Sequence, residues 1–256
     1  MKNKQPNLIG FVLMIGWLLV WPNFSGPARI NNLWQPTTAE NKTGESAPQD
    51  KLPKTEEQPA ATKIQTNQNL PEKMLLVVPF LSQAPFANWD ALHEDACEEA
   101  SLIMLKYFLA GEMTIDKELG EQEIQALVKY ERENGYGESI TLAELAETAK
   151  EYYGLKNPRV EKKITAEKIK RELVNGRPVI IPAAGKLLAN PNFKNDGPVY
   201  HMLLIKGYDE TGFITNDPGT RKGEDFRYSF ENILEANHNW NKKNILNGEA
   251  VYLVFD

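Results

Sequence analysis

Cysteine is almost absent from this sequence: Cys97 is the only one in 256 residues. A single thiol excludes an intramolecular disulfide framework, and no Cys/His grouping has the spacing of a zinc site. Histidine is nearly as scarce, with His93, His201 and His238 as the three imidazoles, so candidates for a general base are few. Positive charge is in deficit as well. Lys and Arg number 29 against 35 Asp and Glu, a formal charge of −6, which argues against nucleic acid or anionic lipid as an electrostatic partner. No internal repeat and no glycine-rich phosphate loop is present, and no cofactor or metal is expected.

What is present divides into three parts. Lys2 and Lys4 precede an uncharged run, Leu8 to Trp21, that Pro22 interrupts. A positive end followed by a short apolar run predicts an export signal or an uncleaved membrane anchor over residues 1–24. The run is shorter than the roughly 20 residues of a comfortable span, and no clean Ala-x-Ala cleavage site follows. Residues 25–73 are rich in Pro, Thr, Gln, Asn, Glu and Lys and have little to bury, so a disordered tether is expected. Its root-mean-square reach would be on the order of 35–40 Å. The expected location is extracytoplasmic, with the protein tethered through its N-terminus or secreted.

From Met74 to Asp256 the texture is that of one folded domain. Met74–Phe80 is an apolar run that predicts a strand or an extended lead-in. Asp95 to Leu109 predicts a helix, with Cys97, Ala100, Ser101, Met104, Leu105 and Phe108 as its inward stripe. A charged helix is expected over 117–134, stopped by Gly135. Thr141 and Glu144 form a capping box for another, ended by Gly154, and Thr165 caps one closed by Asn175 and Gly176. Strands are expected at 178–182, 199–206, 213–216 and 250–255, with a short helix over 229–237. Helices first and strands later predict an α+β domain with an antiparallel sheet.

The chemistry begins at Cys97, which falls in the first turn of its helix. Free amide hydrogens and the helix dipole there predict a lowered thiol pKa, although Glu98 and Glu99 oppose a thiolate. By residue type alone an isolated cysteine is a buried apolar residue. His201 interrupts an apolar strand and is the leading candidate for a base within reach of the thiol. His93 is the rival, and His238, at a polar helix end, is expected to be exposed. Sixteen residues beyond His201, Asp217 could fix the imidazole tautomer. A regular hairpin would pair Leu204 with Asp217 and turn Asp217 away from His201. So either the ladder carries a bulge, or Asn216 takes the orienting role.

Four stretches occur in one order: Val78 to Gln83, Asp95 to Ser101, His201 to Asp209 and Asn216 to Thr220. Together they resemble the C39-like cysteine peptidase domains, which have the papain-like fold. The resemblance implies an N-terminal helical part carrying the cysteine, packed on an antiparallel sheet carrying the histidine. It also implies Cys97 as nucleophile, His201 as base, Asp217 as orienting acid, and Gln83 as an oxyanion donor beside the Cys97 amide. Many such domains have Gly-Pro after the cysteine where this chain has Glu98-Glu99. The expected function is an exported thiol hydrolase acting through an acyl-enzyme on a peptide or protein substrate, and the tethered layout fits a substrate at the cell surface. A tethered peptide-binding module without turnover and an acyl transferase are the alternatives.

Overall fold

The computed structural model describes residues 70–256. The expected signal or anchor, and all of the expected tether except residues 70–73, lie outside the described residues. No helix among the described residues is long and apolar enough to cross a membrane.

The domain is an antiparallel sheet covered by helices on both faces. Its strands are β1 (Met74–Leu75), β2 (Pro158–Lys162), β3 (Val179–Ala183), β4 (His201–Tyr208), β5 (Phe213–Asn216), β6 (Phe226–Tyr228) and β7 (Val251–Phe255). They lie in the order β2-β7-β3-β4-β5-β6, with β1 added on β4. The helices are α1 (Cys97–Leu109), α2 (Lys117–Glu133), α3 (Leu142–Tyr153), α4 (Ala166–Val174) and α5 (Phe230–Ala236).

Alternation along the strands sorts the core. Met202 and Leu204 of β4, with Leu253 and Phe255 of β7, pack toward the apolar residues of α1, α2 and α3. Leu203 and Ile205, with Tyr252 and Val254, pack on the other face with Ile169 and Leu173 of α4 and Ile233 of α5. All eight residues of β4 are buried. Two covered faces explain why β4 reads as a continuous apolar run rather than an alternating one.

The helix termini follow local chemistry. Thr141 and Glu144 make the reciprocal capping box, and Gly154 ends α3 in the left-handed conformation at φ 67°. Thr165 accepts a hydrogen bond from the Lys168 amide to open α4. Differences from the sequence expectation have physical causes. The run at Met74–Phe80 pairs over only two residues, and Pro79 has no amide to extend a ladder. β2 lies at a sheet edge with Pro158 and Arg159, where no alternation marks it, and β6 is too short to show a period. The first nine residues of α1 are all buried rather than one stripe of them, because the helix is enclosed between β4 on one side and α2 and α3 on the other.

Candidate active site

The hairpin of β4 and β5 decides where the acid points. Pairing runs Tyr208 with Phe213 and Gly207 with Ile214, then slips, so that Ile205 faces Thr215 and Leu204 faces Asn216. Lys206 is the extra residue. A one-residue bulge turns every later side chain to the other face. Asp217 therefore shares the face of His201, while the Asn216 amide turns away and donates to the Val78 and Pro79 carbonyls, both at 3.1 Å.

The His201 ring and the Asp217 carboxylate are both buried, with Nε2 2.8 Å from Oδ1. Oδ1 also accepts from the Gly219 amide at 2.9 Å. Oδ2 accepts from the Tyr228 hydroxyl at 2.5 Å and from Asn190 Nδ2 at 3.1 Å. Burial pushes Asp217 up, but the His201 charge and these hydrogen bonds outweigh it and hold the carboxyl below its ordinary value. Phe193 meets the imidazole edge to face, with ring centroids 5.2 Å apart. Gly219 lies so close that a Cβ there would stand 2.8 Å from His201 Cε1.

Across a cleft of about 740 Å³ from His201 stand Gln83, Trp89, Glu94 and Asp95, on the segment that leads into α1. Cys97, two residues on, is the first residue of α1 and is 4% exposed. Its thiol donates to Glu98 Oε2 at 2.9 Å rather than to the His201 ring. Burial raises the thiol pKa well above 9.0, and the Glu98 and Glu99 charges add to it. The Met202 amide, next to His201 on β4, works the other way. The expected lowering by the helix N-terminus is thus reversed, because desolvation of a buried thiolate exceeds what a helix end supplies. Gln83 Nε2 is also engaged, donating to the His93 and Glu94 carbonyls at 2.7 and 3.1 Å. The structure thus pairs His201 with Asp217 and sets Gln83 across the cleft from them, with Cys97 turned onto Glu98.

The family model described as Peptidase_C39 like family matches residues 75–244. This chain belongs to the Peptidase_C39-like family. A crystal structure from Bacillus anthracis, assigned as a C39-like peptidase, is similar at 18% identity and a TM-score of 0.49. The likeness covers 73% of this chain and 98% of that one. No curated protein matches the chain. The mixed architecture, helices packed on an antiparallel sheet, is that of the papain-like α+β class, and the family makes this a peptidase-type protein.

Within this C39-like domain the paired glutamates do not line the cleft. Both are buried: Glu98 Oε1 accepts from the Ile140 amide at 3.3 Å, and Glu99 lies against Glu131 of α2. Burial raises the Glu98 carboxyl to about 8 and the Glu131 carboxyl to about 7, and raises Glu99 well above its ordinary value. Neither Glu99 Oε2 nor Glu131 Oε1 finds a donor, so a proton on one of the two lets them bond. Burial favours the neutral form of these carboxyls, and wherever they ionise their charges raise the Cys97 thiol further.

The other imidazoles have other tasks. His93 is buried between Asp90 Oδ1, 2.8 Å from Nδ1, and Glu121 Oε1, 2.9 Å from Nε2. It ties the segment before α1 to α2. His238 is half-buried rather than exposed, with Nδ1 3.2 Å from the Gly248 carbonyl. Asn190 and Tyr228, which hold Asp217 Oδ2, went unnoticed in the sequence. They lie 27 and 11 residues from Asp217, and neither sits in a motif that would mark it.

Proposed function

We propose that this C39-like domain is a thiol peptidase with Cys97 as nucleophile, His201 as base and Asp217 as orienting acid. The observation that carries the reading is the buried His201–Asp217 pair at the cleft wall, its carboxylate accepting from four donors. Nε2 is committed to Asp217, which leaves Nδ1 to take the thiol proton. With the thiol turned from Glu98 toward that nitrogen, Sγ attacks the substrate carbonyl carbon as the proton passes to the imidazole. The proton then goes to the leaving amine, the amide C–N bond breaks, and water hydrolyses the thioester. The Cys97 amide and Gln83 Nε2 are the proposed oxyanion donors; for Gln83 this requires release of the His93 and Glu94 carbonyls. The N-terminal run and tether support an extracytoplasmic peptide or protein substrate.

The second reading is a peptide-binding module without turnover. Two observations favour it: the thiol is bonded to Glu98, and the Gln83 amide is occupied by its own loop. Hydrolysis of a peptide library by wild type, Cys97→Ala and His201→Ala separates the two. Cleavage by wild type alone supports the peptidase. Equal, negligible rates, with iodoacetamide reactivity unchanged by His201→Ala, would favour the binding module.

A further inference from the structure

The cleft is electrically divided, against the sign of the chain as a whole. Lys194, Arg221 and Lys222 line the His201 side, while Glu94 and Asp95 line the segment before Cys97. None of the three cations is within ion-pair distance of a carboxylate among the described residues, whereas Arg159, Arg171, Arg177 and Arg227 each hold one. Asp225, three residues beyond Lys222, is taken by Lys206 Nζ at 2.8 Å. Asp196 and Glu224, on the same two loops, do not line the cleft.

The cationic wall is held in shape by the same shell that holds His201. Asn190 bonds Asp217 and also accepts from the Asn192 amide at 2.9 Å, which shapes the loop carrying Lys194. Arg221 and Lys222 sit on a turn closed by Asp217 N–H to the Gly223 carbonyl at 2.9 Å, and Thr220 Oγ1 accepts from the Lys222 amide at 3.2 Å. Phe193 and Trp89 add apolar surface between the charges. Three unpaired cations over a partly enclosed cleft attract anionic groups, and two carboxylates on the facing wall repel them.

We infer that this cleft selects a peptide whose acidic side chains lie along the Lys194, Arg221 and Lys222 wall. The inference rests on the cleft being the substrate groove of the proposed peptidase, and it names the substrate class. A neutral or basic stretch then faces Glu94 and Asp95.

The test uses the full chain carrying Cys97→Ala, so that binding is read without turnover. Three dye-labelled peptides of one length are compared by anisotropy, identical except for glutamates, glutamines or lysines at two adjacent positions. The glutamate peptide is expected to bind roughly tenfold tighter than the glutamine peptide at about 50 mM salt, as a few exposed ion pairs together supply, with the advantage shrinking at about 300 mM. Adding Lys194→Glu, Arg221→Glu and Lys222→Glu should abolish it, while Lys242→Glu with Lys243→Glu, outside the cleft, should not. Equal binding of the three peptides, or an advantage that survives the triple reversal, overturns the inference. Wild-type turnover is scored separately. Selective binding without cleavage defeats the peptidase reading and leaves the inference standing; cleavage indifferent to charge does the reverse.

Discussion

Replacing Glu98 by glutamine should flatten the pH dependence of stability and make the protein more stable in mild alkali. Glu98 is buried, accepts from the Cys97 thiol and the Ile140 amide, and has its carboxyl raised from 4.5 to about 8. A group whose folded pKa lies above its unfolded value binds its proton more tightly in the native state. Its stabilisation is complete below the unfolded pKa and is lost as pH rises through the folded one. The rise of 3.5 units from 4.5 to about 8, at about 1.4 kcal/mol per unit, corresponds to on the order of 5 kcal/mol lost between pH 4.5 and pH 8. Glutamine keeps the shape and an acceptor for Ile140, yet stays neutral throughout. Urea denaturation followed by tryptophan fluorescence at about pH 4 and about pH 8.5, below the unfolded value and above the folded one, should show near-equal stability of the two proteins at the lower pH. At the higher pH the variant should be the more stable by several kcal/mol. A smaller slope should persist from Glu99 and Glu131, which face each other and are also raised. Parallel stability curves for wild type and Glu98→Gln would refute a buried, proton-holding Glu98.

Other outcomes are equally specific. Tyr228→Phe removes the hydroxyl that donates to Asp217 Oδ2; kcat for peptide hydrolysis should fall with KM little changed, and Asp217→Asn should cost far more. Gly219→Ala drives a methyl against the His201 ring, so the imidazole resonances should shift and turnover should drop while the far-ultraviolet circular dichroism stays native. Burial of the Cys97 thiol predicts slow iodoacetamide labelling at pH 7, and at about pH 9, above the Glu98 carboxyl's value of about 8, labelling should be faster in Glu98→Gln, where the carboxylate charge is gone. Thr141→Ala breaks the capping box of α3 and should cost about 1 kcal/mol in urea denaturation without changing the pH profile.

Local chemistry was legible in the sequence because it acts over a few residues. Thr141 and Glu144, Thr165, Gly154 and Gly176 set helix ends through bonds to their own neighbours, and α2 to α4 fall within a residue or two of the sequence expectation. The motifs at Gln83, Cys97, His201 and Asp217 were visible as well, as was the geometric problem they posed. A regular β4–β5 hairpin could not bring Asp217 to His201, so the sequence already demanded either a bulge or Asn216.

The tertiary structure chose between them. The slip at Lys206 puts Asp217 on the ring and leaves Asn216 to hold the extended segment before Gln83. It also decided the setting of Cys97, since burial depends on what packs around α1 and not on its own residues. Enclosure of the first nine residues of α1 takes Glu98 and Glu99 out of water, which raises their carboxyls and reverses the thiol shift that the helix end alone predicts. Asn190 and Tyr228 escaped notice for the same reason: they reach Asp217 across a sheet, and no spacing along the chain records a contact made by folding.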